Sequence, residues 1–191
     1  TKISWKLPSG NTWEPSNYDG QVNGRVTLLD GLVSSLNLAT VDLGSKLGVK
    51  NVVDFLKNIG FPSTVGAFPS ILLGATELTP LQLTSLYTIF LNDGFKLPIK
   101  TINSVRDQNH NLIRQYPAEL IPSLSPQTAA LVHHALIQVT QNGTAKAIAT
   151  QFPDKKLGGK TGTTDNFRDS WFIGSSSNYL TTVWIGHDDN R

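Results

Sequence analysis

The chain has 191 residues, of which 39% are hydrophobic and 16% charged, with a formal net charge of +2; this is the composition of a globular domain able to bury a core. So small a charge, carried by scattered basic residues, gives no argument for a nucleic-acid or membrane-surface partner. Cys is absent, which excludes disulfides, thiolate metal sites and a thiol nucleophile, and no apolar run approaches the ~20 residues of a membrane span.

Residues 1–25 are expected to be irregular, punctuated by Pro8, Gly10, Pro15, Gly20 and Gly24, with Trp5 and Trp13 pinning the segment to the body. Leu29, Leu32, Val33 and Leu36 recur at helical spacing and predict a first helix that runs into Ser34-Ser35-Leu36-Asn37. A second helix is predicted over Val41–Leu47, closed by Gly48, and a third carries Val52, Val53, Leu56 and Ile59 and stops at Gly60. The Pro- and Gly-rich stretch 61–74 reads as a loop. Thr79 as N-cap and Pro80 at the first helical position start the next helix, with Leu83, Leu86, Tyr87 and Phe90 as its buried face and Gly94 at its end. Ile99–Val105 and Leu112–Tyr116 flank Asp107-Gln108-Asn109-His110-Asn111 and read as a hairpin. Ser125-Pro126 opens a further helix, which turns Val132, Ala135, Leu136 and Val139 inward and ends at Gly143. Ser170–Ile173 and Leu180–Ile185 read as strands in a strand-rich final part. Helices followed by a strand meander predict an α+β fold rather than a parallel doubly wound sheet.

The stretch most suited to chemistry is Leu157-Gly158-Gly159-Lys160-Thr161-Gly162-Thr163-Thr164-Asp165. It is not a phosphate-binding P-loop, because position 154, where that motif needs its first Gly, is Asp154. Next to the downstream strand runs, Lys160 to Thr163 is expected on a strand whose exposed side lines a cleft, where small residues let a substrate backbone lie close. Lys160 offers a cation, Thr161 and Thr163 offer hydroxyls, and a backbone N–H near Thr163 can serve as an oxyanion donor. Ser35 and Asn37 supply a hydroxyl and an amide from a distant element. A hydroxyl can relay a proton, an amide can hold a substrate peptide, and a Lys can lower the pKa of the relay. The same residues also fit a structural role: Ser35 and Asn37 as a helix C-terminal cap, Gly158-Gly159 as a turn and Lys160 as a solvated strand end. His133 and His134 are adjacent on a helix and point apart, so no metal site is expected, and no cofactor is implied. Asp165 and Asp169 read as loop and strand-start residues, with Asp165 in reach of a substrate.

Ser35-Leu36-Asn37 with Thr40-Val41, followed far downstream by Gly159-Lys160-Thr161-Gly162-Thr163-Thr164 with Trp171-Phe172, resembles the second and third motifs of the penicillin-interacting serine enzymes. The resemblance is closest to the transpeptidase domain of bifunctional class A penicillin-binding proteins of the 1b type. Trp13-Glu14-Pro15-Ser16-Asn17-Tyr18-Asp19-Gly20, Leu73-Gly74-Ala75 through Leu78-Thr79-Pro80, and Gly143-Thr144-Ala145 resemble further segments of that family, in the same order. It implies one α+β transpeptidase domain, incomplete in residues 1–191: an irregular opening segment over 1–25, a helical subdomain over 26–98, and a hairpin, helix and antiparallel strands over 99–191.

What the resemblance further implies is serine acyl transfer on peptidoglycan stem peptides ending in D-Ala-D-Ala, with β-lactams as inhibitors. Ser35 is implied in the proton relay, Asn37 in holding the substrate amide, and Lys160 in the relay's electrostatics and in attracting the substrate carboxylate. Thr161 and Thr163, with Gly162 and Thr164 alongside, are implied in substrate binding, and the Thr163 N–H in the oxyanion hole. The family's nucleophile is the Ser of a Ser-x-x-Lys motif, and no Lys here has Ser three residues before it. The nucleophile, the glycosyltransferase domain, the membrane anchor and the domain's last strands and helix are therefore expected outside this chain. The parent protein would face the periplasm from the inner membrane and work with other cell-wall synthesis proteins. Ser-Leu-Asn in place of the Ser-Asp-Asn of class A β-lactamases favours a transpeptidase, and Glu77, just before Thr79-Pro80, reads as a helix-start residue rather than a hydrolytic base. A carboxypeptidase or β-lactamase, and a non-catalytic β-lactam sensor, remain the rival readings.

Overall fold

The computed structural model describes residues 2–7, 9–62, 64–164 and 168–189. A short antiparallel ribbon, β1 (Trp5–Lys6) with β2 (Thr12–Trp13), opens the chain. Trp5 and Trp13 lie opposite each other in its register. Three helices follow: α1 (Leu28–Val33), α2 (Asn37–Leu47) and α3 (Val49–Asn58). The first is shorter, and the second longer, than apolar spacing predicts. Leu36 continues the helical period, but Ser35 takes a left-handed conformation at φ 54°, which stops α1 and lets α2 start anew at Asn37.

The stretch expected as a loop contains a 3-10 turn over Pro69–Leu73, and its Ile71 joins Val53 and Val65 in one buried cluster. Helix α4 (Pro80–Leu91) starts as predicted, with a full capping box between Thr79 and Gln82. Its buried positions are Leu86, Thr88 and Ile89 rather than Leu83, Tyr87 and Phe90, which are only partly buried. The helix packs against the later helix Pro126–Asn142 and strand Leu180–Gly186 as well as its own neighbours, so more than one face is covered.

Strands β3 (Phe95–Lys96) and β6 (Ile121–Pro122) pair, and between them stands the hairpin of β4 (Ser104–Arg106) and β5 (Leu112–Gln115). Its turn is organised by Asp107, whose carboxylate accepts from Asn109 N, Asn111 N and Asn111 Nδ2. Helix α5 (Pro126–Asn142) buries Ala129, Ala135, Leu136, Val139 and Thr140, and the short α6 (Lys146–Gln151), not read from the sequence, follows it. The chain closes with β7 (Gly158–Thr163), β8 (Asp169–Ser175) and β9 (Leu180–Gly186), antiparallel in that order. The fold is α+β. Helix α5 lies against β7, and α4 is tied to β9 by a Thr84–Thr182 hydroxyl bond of 2.6 Å.

Candidate active site

Local chemistry sets up the turn that carries Ser35. Thr27 caps α1 by accepting from Asp30 N at 3.0 Å. After Val33 the chain folds back, Leu36 N donating to the Gly31 carbonyl at 2.8 Å. A non-Gly residue at positive φ costs free energy that its surroundings must offset, and such residues gather at functional sites.

Lys160, on β7, reaches this turn. Its Nζ donates to Ser35 Oγ at 2.8 Å across 125 positions of sequence, and to the Thr161 carbonyl at 2.9 Å. Burial pushes the Lys160 pKa down, because a low-dielectric surround disfavours the charged form. Among the described residues the ion pairs are Lys46–Asp42 and Lys50–Asp54, so no described carboxylate neutralises Lys160. A half-buried ammonium held, among the described residues, by a hydroxyl and a carbonyl can exchange a proton with that hydroxyl and attract an anionic group.

The turn 143–145 braces the two halves of this contact. Thr144 N donates to the Val33 carbonyl at 3.3 Å, and the Thr144 and Thr161 hydroxyls bond at 2.8 Å. A Cβ at Gly143 would stand 2.2 Å from the Val33 carbonyl oxygen, so only Gly lets the end of α5 lie on the end of α1. Ala145 fills a cluster with Val33 and Val139, against which Phe172 packs. Phe172 is opposite Thr161 in the β7–β8 register, and its ring uses the space that a Cβ on Gly159 would occupy, 2.6 Å from Cζ. Thr144 is thus a site-building residue that the sequence reading left as part of a turn; its only signal was the Gly143-Thr144-Ala145 resemblance.

The other expected site residues divide. Asn37 is the first residue of α2, and its Nδ2 donates to the Ser16 carbonyl at 2.8 Å. Thr161, Gly162 and Thr163 follow Lys160 on β7, with Thr163 exposed. Thr164 is exposed and bonded to the next strand: its hydroxyl donates to Asp169 Oδ2 at 3.0 Å and accepts from Asp169 N at 2.9 Å. Asp169 in turn accepts from Trp184 Nε1 at 2.9 Å. Thr164 and Asp169 therefore close the β7–β8 connection, and Asp165 lies outside the described residues. Glu77 is exposed ahead of the Thr79 cap. No group of His, Asp or Glu among the described residues could hold a metal, and no described helix is long and apolar enough to cross a membrane. Two surface hollows, of about 210 and 390 Å³, involve neither Ser35 nor Lys160.

Comparison with known proteins matches residues 1–186 to the penicillin binding protein transpeptidase domain. Penicillin-binding protein 1B of Vibrio cholerae serotype O1 is 38% identical over 190 residues, 99% of this chain and 24% of the relative. Penicillin-binding protein 1B of Haemophilus influenzae is 36% identical over 189 residues, 98% of this chain and 24% of the relative. The chain thus spans about a quarter of the length of these curated relatives. Among solved structures, Penicillin-Binding Protein 1A from Haemophilus influenzae superposes with a TM-score of 0.92 at 25% identity, covering 100% of this chain and 34% of that one.

Proposed function

The chain belongs to the penicillin-binding protein transpeptidase family, and we propose on that premise that it is part of a serine-type D,D-transpeptidase that cross-links peptidoglycan stem peptides. The observation that carries this reading is the 2.8 Å bond from Lys160 Nζ to Ser35 Oγ. It joins a cation of lowered pKa to a hydroxyl at strained backbone, beside a strand of small and hydroxyl-bearing residues.

In this reading a Ser of a Ser-x-x-Lys motif, absent from these 191 residues, attacks the carbonyl of the penultimate D-Ala. A C–O bond forms and the amide C–N bond breaks. Ser35 passes the proton to the leaving D-Ala amine, and Lys160 keeps the relay's pKa low. The Thr163 N–H binds the oxyanion that forms, while Thr161 and Thr163 hydroxyls with Lys160 bind the terminal carboxylate. Asn37 holds the substrate amide. Gly162 leaves room for the peptide along β7, and Thr164 shapes the end of the site through Asp169. An amine from a second stem peptide then attacks the acyl-enzyme carbonyl; the cross-link C–N bond forms, the ester C–O bond breaks, and the amine's proton returns through Ser35 to the nucleophile's oxygen. β-Lactams enter the same path. The parent protein is anchored at the periplasmic face of the bacterial inner membrane, carries a glycosyltransferase as well, and works alongside other cell-wall synthesis proteins.

The 191-residue chain by itself is expected not to be labelled by fluorescent penicillin, whereas the full-length parent is labelled on one Ser. In-gel fluorescence with peptide mapping checks this. A covalent adduct on any Ser of residues 1–191 would place the nucleophile here and overturn the assignment.

A further inference from the structure

Helix α2 begins without a cap of its own. Leu36 stands at the N-cap position and offers no side-chain hydrogen bond, although the first N–H groups of a helix need partners. Asn17 supplies one from 21 positions upstream, its Oδ1 accepting from Leu38 N at 3.0 Å. Its Nδ2 donates to the Gln21 carbonyl at 2.7 Å and to Asn23 Oδ1 at 2.9 Å. The residue before it makes a second bond to the same helix end, the Ser16 carbonyl accepting from Asn37 Nδ2.

Two consecutive residues of the opening segment therefore grip two consecutive residues of α2. The surrounding segment is mostly exposed, as Tyr18 at 87% shows, yet Asn17 is only 5% exposed. A buried amide with both donor and acceptor satisfied fixes direction as well as distance. The direction it fixes is that of the turn bearing Ser35 and Asn37. Ser35 stands two residues before Asn37 at a positive φ, a conformation that persists only where neighbours over-determine it.

We infer that Asn17 is a positioning residue of the acyl-transfer site: it caps α2 from outside and, with the Ser16 carbonyl, holds Ser35 and Asn37 in line with Lys160. The inference rests on the function proposed above. It does not require Asn17 to touch substrate.

The test uses the full-length parent protein and the second-order rate of acylation by a β-lactam, with melting temperature measured in parallel. Asn17→Ala is expected to slow acylation about 10- to 100-fold, the scale on which misplacement by about 1 Å acts. Asn17→Asp keeps the acceptor facing Leu38 N, which a helix N-terminus favours, but sets a carboxylate oxygen against the Gln21 carbonyl and Asn23 Oδ1, so it is expected to recover only part of the rate lost in Asn17→Ala. Thr79→Ala removes a cap of the same kind from α4, away from Ser35 and Lys160, and is expected to lower the melting temperature while leaving acylation unchanged. If Asn17→Ala does not fold, Asn17→Leu measured against Asn17→Asp makes the same comparison, and failure of both to fold would overturn a positioning role in favour of a purely structural one. A wild-type rate for Asn17→Ala, an equal loss for Asn17→Asp, or an equal loss for Thr79→Ala would each overturn it as well. Lys160→Ala separates this result from the parent reading. If Lys160→Ala is slow and Asn17→Ala is not, only the clasp fails, and if Lys160→Ala is also unaffected, the site itself fails.

Discussion

Lys160→Ala in the full-length parent is expected to slow acylation by a β-lactam about 10²- to 10⁴-fold, the usual contribution of a positioned acid–base group. Lys160→Arg is expected to recover little of this. Guanidinium is larger, stays protonated throughout the working pH range and presents a planar fork, whereas the ammonium is compact and its pKa responds to burial. The Nζ–Oγ bond of 2.8 Å leaves no room for the larger group without moving the Ser35 turn. If Lys160 acted only as a positive charge for a carboxylate, Arg would restore most of the rate. The same burial has a pH consequence. The folded-state pKa of Lys160 lies below its ordinary value, so between the two values the unfolded chain binds more protons. The penalty of burying the charge is in full force below the folded pKa and fades as pH rises through that window, so stability gains with pH there. Lys160→Ala should flatten this part of the stability curve.

Gly143→Ala is expected to have the second largest effect, and to act on stability and activity together. The added Cβ would stand 2.2 Å from the Val33 carbonyl oxygen and 3.0 Å from that of Val139. Both are backbone atoms, so the clash cannot be relieved by turning a side chain. Overpacking of this kind costs about 1–3 kcal/mol. The atom that must give way belongs to the last residue of α1, two positions before Ser35, and Thr144 next door holds Thr161. Denaturant midpoint and acylation rate should therefore both fall. A stable variant with wild-type acylation would mean that the 143–145 turn does not brace the site.

What could be read from the sequence was what local chemistry dictates. Thr79-Pro80 announces α4, and Ser125-Pro126 announces α5, because caps and first-turn residues are neighbours in sequence. The strands β8 and β9 follow from their apolar runs. The break between α1 and α2 could not be read, since Leu36 sits at helical spacing and nothing in residue type reveals that Ser35 adopts a positive φ. Ile89 was missed because α4 is covered on more than one side. The pairing of Ser35 with Lys160 was legible only through family resemblance; a separation of 125 positions carries no periodic signal. The hydrogen bonds of Asn17 and Thr144 were invisible for the same reason. Both residues look like ordinary turn formers, and their partners are backbone or hydroxyl groups brought close only by the fold.

Ser35 and Lys160 are expected to act as one unit, and a double-mutant cycle on the acylation rate tests that most directly. Wild type, Ser35→Ala, Lys160→Ala and the double variant are compared in the full-length parent, all confirmed folded by melting temperature. Residues that act as a unit give strongly non-additive losses. The predicted result is that the double variant is about as slow as the slower single variant, within roughly threefold. Losses that multiply, so that the double variant falls by the product of the two single effects, would show that the two side chains work independently and would contradict the relay.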